Sequence, residues 1–570
     1  MKFPSFTSLL KADSLSLSGE SSDLDSIWLP EKSFREWGVA LLLFVFSFLY
    51  LWPFRNYSTL NADEGIVLQG AQRILQGEVL YRDFFSFLTP GSYYWVALLF
   101  KIFGSSILVG RTMLLLYGGL FSVLTYFLAR RVCSRWSAIL AAYLSLITCL
   151  PHRFLVLHNW DSTLWAFLAL YGAVWLLQAP HWTWAFGSGC FIALTFLCEQ
   201  SKGAGLMLGL LLGLLIIVRH HPCGHLWRGP YLLALLAGMT WPFVLTLGYF
   251  GSHHCLSQML AGWFWPLQHY SAVNRLPYGY LTLSGDGWEA FYGASWVRRL
   301  FVILVTSPWF IVPILPFLAL GLMAFHAIEV LGKKQTGKTS SYYVLVCAAL
   351  LGLVLAAWAT GRPDFTHLIY VGPPLFLVLA WLAEVRGVRS RLLAKLQPLV
   401  VVYLLVFFTA FGLVLLLNPL NAHERLATRR GLLKTPDSDP ALQVVQELVP
   451  SGEKIFVYPY QPLYYYLTAT FSPTRYEYLQ PGMHTPAQFR DAINQLAADQ
   501  TRVVLFDLSF GGEKIPIAWP ATPPEVLITD PGRDFIFSHY RPCRTLASSN
   551  WRFVFMLRKD LTCASNAGLR

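Results

Sequence analysis

Charged residues are scarce in this chain. Of its 570 residues only 13% are charged, whereas 55% are hydrophobic and the mean hydropathy is +0.49. Soluble globular proteins are usually about one quarter charged. The deficit excludes an ordinary soluble protein. It predicts many membrane spans, because a helical crossing needs roughly 20 apolar residues.

Several familiar motifs are also missing. None of the nine cysteines belongs to a C-x-x-C pair, which argues against a zinc site built on thiolates. Neither G-x-G-x-x-G nor a Walker loop is present, which argues against a nucleotide-binding tail. No A-x-A-like cleavage site follows the first apolar run, Trp37 to Phe54, so we expect a retained anchor rather than a signal peptide.

Basic residues indicate the orientation of the spans. The net charge of +12 does not point to nucleic acid, because many basic residues cluster in short loops between apolar runs, where they encode membrane orientation. These clusters are Arg130, Arg131 and Arg135; Arg219 and Arg228; Lys333, Lys334 and Lys338; and Arg386, Arg389, Arg391 and Lys395. If each cluster is cytoplasmic, the N-terminus is cytoplasmic and the C-terminal tail lies outside.

About eleven crossings of the inner (plasma) membrane result from this rule. After the first run, the predicted spans are 107–129, 136–151, 162–178, 182–198, 203–219, 230–249, 298–326, 341–359, 366–385 and 397–418. Residues 92–104 are apolar but short. We interpret them as re-entrant, as interfacial, or as part of one long bent helix with the segment that follows.

Three parts of the chain follow from this topology. They are a serine-rich cytoplasmic tail, residues 1–36; a membrane module, residues 37–419, whose first external loop is 55–91; and an extracytoplasmic domain, residues 420–570. In the last part strands alternate with helices, which predicts a small α/β layer domain. Its elements are predicted as helices at 440–448 and 486–498 and strands at 454–457, 502–508 and 551–557.

Polar residues that belong to no basic cluster share the external face in this topology. They come from five segments: Asp63-Glu64, residues 158–161, residues 199–202, the long loop 251–296 and residues 362–367. Their convergence would create a polar site open to the extracytoplasmic side.

The acid pair Asp63-Glu64 directly follows the first span. Asn61 and Glu64 have the spacing of a helix capping box, and the apolar stripe that follows predicts an amphipathic helix on the membrane surface. The acids would occupy its first turn, where free amides favour carboxylates. They therefore have two interpretations, a capping role or a catalytic one.

The chain resembles the GT-C superfamily of polytopic glycosyltransferases, and more closely the bacterial branch related to protein O-mannosyltransferases and to the lipid A aminoarabinose transferase. The residues that carry the resemblance are Asp63-Glu64, the run Tyr81 to Phe85, the run Pro90 to Trp95, Phe103-Gly104, Arg111 and Asp161. The resemblance implies an α-helical polytopic membrane fold of about 11–13 transmembrane helices with a C-terminal extracytoplasmic α/β domain.

The resemblance also implies a reaction. A sugar would pass with inversion from a polyprenyl-phosphate donor to a glycan, lipid or protein acceptor at the outer face, and an Asp of the first external loop would be the general base. Asp63 matches that position, with Glu64 as the second catalytic candidate. The aminoarabinose transferases are expected to have a Lys beside the Pro that opens the second apolar segment. Here Thr89 precedes Pro90, and Arg82 is the nearby base.

Transfer from a lipid phosphate needs positive charge beside the departing phosphate. The external candidates are Lys202, Arg362 and His367, with Arg82 and Asp161 as further substrate-binding residues. Alternatives are a lysine anchored at the bilayer surface for Lys202, helix-end anchoring for Arg362 and His367, and helix capping for Asp161.

Two further features keep alternative interpretations. A divalent metal could be bound by Glu64 with three histidines of the long loop, His253, His254 and His269. Tyrosines between Tyr458 and Leu479 could form a lid or acceptor platform over the site, or simply the core of the C-terminal domain. If this domain lies outside the cytosol, Cys543 and Cys563 could form a disulfide.

Two other functions compete with the transferase. A transporter or flippase of lipid-linked or envelope substrates would also expose acids in its vestibule, although transporters often show repeats and this chain shows none. A non-catalytic envelope protein that binds glycans through its external domain is the third. The apolar character predicts membrane lipid around the chain in each case.

Overall fold

The computed structural model describes residues 29–218, 229–270, 273–280, 289, 291–332, 338–359, 362–383, 391–547 and 552–563. Some predictions fall outside these residues: the serine-rich tail up to residue 28, Arg219, Arg228, Lys333, Lys334, Arg386, Arg389, parts of the long loop 251–296 and the first residue of the last predicted strand.

Helices dominate residues 34–421. The first ones are α1 (Phe34–Leu51), α2 (Ala62–Leu75), α3 (Gly91–Phe103), α4 (Ile107–Arg130), α5 (Arg135–Thr148), α6 (His158–Gln178), α7 (Trp182–Cys198), α8 (Gln200–Val218) and α9 (Pro230–Ser252). They are followed by α10 (Leu256–Trp265), α11 (Trp296–Thr306), α12 (Pro308–Gly332), α13 (Lys338–Ala359), α14 (Phe365–Ile369), α15 (Gly372–Leu375), α16 (Leu377–Ala383) and α17 (Arg391–Asn421).

Eight helices in the described part of the chain are long and apolar enough to cross a membrane, and Trp182–Cys198 and Gly372–Leu382 are shorter apolar helices. Most predicted spans agree with these helices to within a few residues. Three predictions differ. The span 136–151 contains a helix of 14 residues, α5, which is shorter than the roughly 20 residues that a crossing needs. The span 298–326 is two helices, α11 and α12, because Pro308 starts a new one. The span 366–385 is three short helices, because Pro373 and Pro374 interrupt it.

Residues 92–104 form a helix of their own, α3. It ends at Gly104, whose positive φ of 87° only glycine adopts without strain, and α4 starts three residues later. The two helices are therefore not one long bent helix. Thirteen residues span about 20 Å, which is less than a hydrocarbon core of about 30 Å, so the re-entrant and interfacial interpretations stay open.

Glycines allow the closest helix contacts in the membrane module. In α8, a Cβ on Gly205 or Gly209 would lie 2.2–2.3 Å from backbone oxygens of α13. Gly189 of α7 and Gly238 of α9 approach each other's helix in the same way. In lipid, burial of apolar surface does not drive helices together. Small residues allow the close backbone packing that stabilises their association instead.

Helix α2 differs from its prediction. It does not lie on the surface, because its polar face is buried against the C-terminal domain and α3. Gln69 donates to the Thr470 carbonyl, and Arg73 lies 3.8 Å from Glu477. The predicted capping box is half right. The Asn61 side chain accepts from the Asp63 amide at 3.0 Å, but Glu64 bonds elsewhere.

The C-terminal domain begins directly after α17. Its strands are β1 (Glu424–Thr428), β2 (Gly431–Thr435), β3 (Phe456–Tyr458), β4 (Val503–Asp507), β5 (Tyr540–Ala547) and β6 (Arg552–Arg558). Its helices are α18 (Pro440–Leu448), α19 (Pro462–Thr468), α20 (Pro486–Asp499), α21 (Ile515–Ala518), α22 (Pro524–Ile528) and α23 (Pro531–His539). A β1–β2 hairpin stands apart from a mixed sheet of order β3-β4-β6-β5, in which only β3 and β4 are parallel.

The predicted fold class is thus confirmed, with a hairpin and strand β5 as additions. The helix predicted at 440–448 has the same bounds in the structure, and the other predicted elements of the domain shift by one or two residues. Cys543 and Cys563 form the disulfide considered above.

Backbone contacts dock this domain onto the membrane module. The Lys434 amide donates to the Asn56 carbonyl at 2.7 Å, and the Ser58 amide donates back to the Lys434 carbonyl at 2.8 Å. At Gly65 of α2 an added Cβ would lie 2.0 Å from the Leu463 amide nitrogen. The glycine that follows the acid pair therefore lets the start of α19 reach Asp63.

Candidate active site

A cavity of about 600 Å³ lies between the membrane module and the C-terminal domain. Each of the five polar segments predicted to converge contributes to its wall. The polar and charged lining residues include Asp63, His158, Asn159, Glu199, Gln200, Ser201, Arg362, Asp364, Thr366 and His367, with Trp263 and Tyr270 from the long loop. The C-terminal domain closes the other side.

Asp63 lies at the cavity wall in the first turn of α2. Its Oδ1 accepts a hydrogen bond of 2.6 Å from the hydroxyl of Tyr460, which belongs to the C-terminal domain. Burial and the neighbouring carboxylate hold the pKa of Tyr460 well above its ordinary value of 10. The tyrosine therefore stays protonated and fixes one oxygen of Asp63, while the carboxylate borders the open cavity.

Glu64, the second catalytic candidate, is not in the cavity wall. Its carboxylate is fully buried and forms a bidentate ion pair with Arg111, at 3.0 Å to Nε and 2.6 Å to Nη2. It also accepts from the Val156 amide at 3.1 Å. Glu64 therefore has a structural role. Its bonds hold the first turn of α2 against α4 and against the segment before α6, and this positions Asp63.

Asp364 organises the cations at the start of α14. Its Oδ1 lies 2.6 Å from Nδ1 of His367, and its Oδ2 lies 3.3 Å from Nε of Arg362. Burial acts to raise the pKa of Asp364, but His367 and Arg362 outweigh it and bring the pKa to about 2. Asp364 is therefore ionised. It holds His367 by Nδ1, which leaves Nε2 as the nitrogen that can bond a ligand.

Arg362 joins three parts of the molecule at the cavity wall. Besides Asp364, it donates to Oδ1 of Asn274 at 2.7 Å and to the Ala518 carbonyl at 2.9 Å. Its guanidinium carbon also lies 5.8 Å from the centre of the Trp519 ring. Each terminal nitrogen still has a second hydrogen, so Arg362 can hold the C-terminal domain and bond a ligand at once.

Arg153 is a cavity residue that the sequence analysis missed. It is the last residue of the short helix Leu150–Arg153 after α5, and its guanidinium has no hydrogen-bond or ion-pair partner among the described residues. A cation without a counter-ion in a cavity is costly unless a ligand supplies the charge. Its position in the sequence could have identified it as a site residue, since it lies between a predicted span and the external segment 158–161.

Lys202 lies behind the wall rather than in it. Its ammonium group is buried and donates to Ser162 at 2.8 Å and Thr163 at 3.1 Å, and it pairs with Glu199 at 2.9 Å. Glu199 itself lines the cavity. Burial acts to raise the pKa of Glu199, but Lys202 and His158 outweigh it and keep the pKa below its ordinary value. Lys202 thus keeps a cavity carboxylate ionised.

Asp161 and Arg82 are not brought to the cavity. Asp161 is fully buried and accepts from the Tyr117 hydroxyl at 2.8 Å. Arg82 pairs with its neighbour Asp83 at 2.8 Å and its side chain is 44% exposed. Contact with a substrate in this cavity is therefore not supported for either residue.

The proposed histidine ligands do not assemble with Glu64. His253 bonds the Tyr249 carbonyl through Nδ1, and His269 packs against the Trp265 ring. Across the described ranges, no group of three or more His, Cys, Asp or Glu side chains could hold a metal ion. That ligand set is therefore wrong, and metal dependence itself stays a prediction.

The charges of the cavity act together on the hydroxyl of Tyr270. Burial raises the pKa of Tyr270 to about 12, and Arg362 opposes this shift. Asp63, Asp364 and Glu199 add to it. One phenol in the wall therefore senses carboxylates from three separate segments, which indicates how closely these segments converge.

One part of the cavity is apolar and opens outward. Phe196 of α7 contacts Trp263 of α10 with ring centres 5.6 Å apart, and both line the cavity. Phe264 and Leu267 also line it, although 58% and 71% of their surfaces are exposed. Since these helices belong to the membrane module, an apolar chain in the bilayer could reach the cavity here.

The tyrosines between Tyr458 and Leu479 were given two interpretations, a wall over the site or a domain core, and different tyrosines fit each. Tyr464, Tyr465 and Tyr466 are fully buried in the domain core. Tyr460 and Tyr478 line the cavity. The stretch thus packs the domain and also contributes to the site.

Comparison with known proteins adds a family and a fold. Residues 88–244 match the family described as dolichyl-phosphate-mannose-protein mannosyltransferase. No curated protein matches the chain.

Solved structures of two membrane proteins are similar to this one. ArnT from Cupriavidus metallidurans in the apo state superposes with a TM-score of 0.52 at 14% identity, covering 90% of this chain and 97% of ArnT. The same protein bound to undecaprenyl phosphate gives 0.49 at 13% identity, covering 92% and 97%. The archaeal oligosaccharyltransferase AglB from Archaeoglobus fulgidus, with an inhibitory peptide and a dolichol-phosphate, gives 0.49 at 12% identity, covering 92% and 75%.

At these identities the structural likeness speaks for the fold alone. The apo ArnT match covers nearly the whole of both chains, so the likeness includes the membrane module and the C-terminal domain. Together with the family match, it confirms the resemblance that the sequence predicts: this chain has the architecture of the GT-C superfamily of polytopic glycosyltransferases.

Proposed function

We propose that this protein is a membrane glycosyltransferase that moves a sugar, with inversion, from a polyprenyl-phosphate donor to an acceptor. The observation that carries the proposal is the cavity itself. Its wall holds the carboxylate of Asp63 and the guanidinium of Arg153, which has no bonded partner among the residues that the structure describes, and it has an apolar opening. These are the groups that such a transfer needs, an acceptor for a proton and a cation for a phosphate.

The donor fits the cavity by its chemistry. Its prenyl chain would enter from the bilayer between Phe196, Trp263 and Phe264, which line the apolar part. Its phosphate would bind Arg153, with Arg362 and, in its protonated form, Nε2 of His367 as further donors. The description of the matching family, which names a dolichyl-phosphate-linked sugar, supports this donor class.

The reaction then follows from the positions of these groups. The acceptor hydroxyl attacks the anomeric carbon from the side opposite the phosphate, and its proton passes to Asp63. The bond between the anomeric carbon and the phosphate oxygen breaks, and the electron pair stays on the phosphate. Each well-placed donor to that phosphate contributes on the order of 3 kcal/mol to the transition state.

The second oxygen of Asp63 is the one available to the acceptor, since Tyr460 holds the first. Glu64 has a different role in this mechanism. Its ion pair with Arg111 fixes the turn that presents Asp63, so Glu64 positions the base without touching a substrate.

We place the cavity on the extracytoplasmic side of the inner (plasma) membrane. The disulfide between Cys543 and Cys563 supports this orientation of the C-terminal domain, because disulfides persist in oxidising compartments. The acceptor is a glycan, lipid or protein of the envelope, reached from that side.

The experiment that tests the proposal measures transfer of labelled sugar from polyprenyl-phosphate donors by the purified protein. Asp63→Asn should lower the rate by about 10²–10⁴-fold, the usual contribution of a general base. The matched control is Asp499→Asn, which removes an acid that pairs with Lys454 on the C-terminal domain away from the cavity.

Transfer that is unchanged in Asp63→Asn would remove Asp63 from the mechanism. Uptake or flipping of the labelled lipid without any transfer would support the transporter instead. Equal losses in Asp63→Asn and Asp499→Asn would show that the assay reports folding rather than chemistry.

A further inference from the structure

Four aromatic side chains of the C-terminal domain form a box beside Asp63. We call Tyr460, Tyr478, Phe510 and Trp519 the aromatic box; all four line the cavity. The Tyr460 ring centre lies 4.7 Å from Tyr478, 6.0 Å from Phe510 and 5.7 Å from Trp519. Tyr478 and Trp519 meet Tyr460 edge-on, at 80° and 76°, so the rings do not form a single stack.

The box is held in place from two sides. On one side Arg362 lies over the Trp519 ring and donates to the Ala518 carbonyl. On the other side Lys514, which also lines the cavity, pairs with Asp507 at the end of β4. These contacts fix the segment 510–519 against the membrane module, so the box is a preformed wall.

The box borders both reacting ends of the proposed chemistry. Tyr460 donates to Asp63, the proposed base. Trp519 contacts Arg362, which pairs with Asp364 beside His367 on the proposed phosphate side. The sugar of the donor is the one group that must lie within a bond of the phosphate and within reach of the base. An acceptor needs only the base.

Its chemistry suits a pyranose ring without charge. The π faces of aromatic rings are electron-rich and attract the polarised C–H groups of a sugar face. Of the charged groups at the box, Lys514 is paired with Asp507 and Arg362 with Asp364, whereas Asp63 is bonded to the neutral hydroxyl of Tyr460. The negative charge of Asp63 would repel an anionic sugar there.

We infer that the aromatic box is the subsite for the sugar ring of the donor and that it selects an uncharged sugar. This inference rests on the proposed function. It assigns the C-terminal domain a direct part in donor recognition: the membrane module holds the lipid and its phosphate, and the domain holds the sugar.

Binding measurements can isolate the sugar from the rest of the donor. Affinities of the purified full-length protein would be measured for undecaprenyl phosphate and for undecaprenyl-phosphate glucose. The ratio of the two dissociation constants reports the sugar contribution alone. We expect the wild type to bind the glucose-bearing lipid about tenfold more tightly, and Trp519→Ala and Phe510→Ala to bring the ratio close to one, with affinity for the bare phosphate within twofold.

Two variants guard against effects on folding. Phe537→Ala removes an exposed aromatic side chain of the same domain outside the cavity and should leave the ratio unchanged. Trp519→Phe keeps an aromatic face and should retain most of the sugar contribution, so a fall in Trp519→Ala together with rescue in Trp519→Phe would support stacking. A donor with a glucuronic acid in place of glucose should bind no more tightly than the bare phosphate.

Two outcomes would overturn the inference, and a third would overturn only the proposed function. A ratio unchanged in both alanine variants would remove the box from donor recognition, even if sugar transfer is observed. An unchanged ratio with a raised KM for the acceptor would assign the box to the acceptor. Loss of the ratio in a protein that transfers no sugar from any donor would retain the subsite and refute the proposed transferase, so the two failures are distinguishable.

Discussion

The membrane module has charged clusters at its two ends, and they differ in how their charges are neutralised. At the end away from the cavity, the buried Glu36 bonds Tyr126 and pairs with Arg135 at 2.7 Å and Arg130 at 3.2 Å. In the same cluster Glu31 pairs with Arg131 at 2.5 Å. Every acid and arginine named in this cluster therefore has a partner of opposite charge, as membrane burial requires.

The cavity end is built differently. Asp63 is bound by a neutral hydroxyl, that of Tyr460, and in the described part of the chain Arg153 has no bonded counter-ion at all. The same helices α4 and α6 connect both ends, so the contrast does not come from a different scaffold. Charges that neutralise each other stabilise the fold, whereas charges left open beside a cavity are arranged for a ligand.

Replacement of Glu64 should have the largest effect on stability. Glu64→Gln leaves the buried Arg111 without its counter-charge, and breaking a buried ion pair in this way costs about 3–5 kcal/mol. Thermal unfolding in detergent would measure the change. The adjacent Asp63→Asn should unfold near the wild-type temperature, and equal destabilisation by the two substitutions would refute their different roles.

Arg153→Met should have the next largest effect, and on activity rather than stability. Loss of one cation beside the departing phosphate should lower transfer by about 10²–10³-fold. Arg131→Met, at the other end, should instead lower the unfolding temperature while the rate per folded molecule stays near that of the wild type, because Arg131 pairs with Glu31. Rates and melting curves of both variants test the contrast, which fails if both variants lose the same property.

Tyr460→Phe tests how the base is held. It removes the hydrogen bond of 2.6 Å to Asp63 but keeps the ring. The net value of a hydrogen bond to a charged group is about 1.5–3 kcal/mol, so we expect the rate to fall about tenfold or somewhat more. A rate within about twofold of the wild type would show that the bond from Tyr460 to Asp63 does not contribute to the reaction.

Removal of divalent ions should have the smallest effect. The cavity carboxylates Glu199 and Asp364 already have cationic partners, Lys202 and Arg362, and Arg153 supplies positive charge for the phosphate. We therefore expect treatment with EDTA to leave the transfer rate within about twofold. A loss restored by Mg²⁺ or Mn²⁺ would mean that an ion bridges the donor phosphate to a carboxylate, as Mg²⁺ sites commonly do.

The sequence predicts much of the fold because apolar runs and prolines act locally. Helix α18 was predicted with the bounds it has, since Asp439 and Pro440 define its start. Strand β5 was missed because its residues alternate poorly and are mostly exposed, so its pairing with β6 depends on tertiary context. Likewise, no pattern in α2 shows that its polar face is covered by a domain far along the chain.

The sequence likewise predicts some residues of the candidate site and not others. Asp63, Arg362 and His367 were found because they follow span ends on one predicted face. Glu64 could not be told from Asp63 by sequence, since only the position of Arg111 decides which acid is buried. Nor does the sequence show that Arg153 lacks a bonded partner among the residues that the structure covers.

The bond between Tyr460 and Asp63 joins residues 397 positions apart. Asp63 and Tyr460 can therefore meet only after the whole membrane module and the first part of the C-terminal domain have been translated. In the proposed mechanism, a prematurely terminated chain would hold its base without the tyrosine hydroxyl. Full activity would then require a complete C-terminal domain.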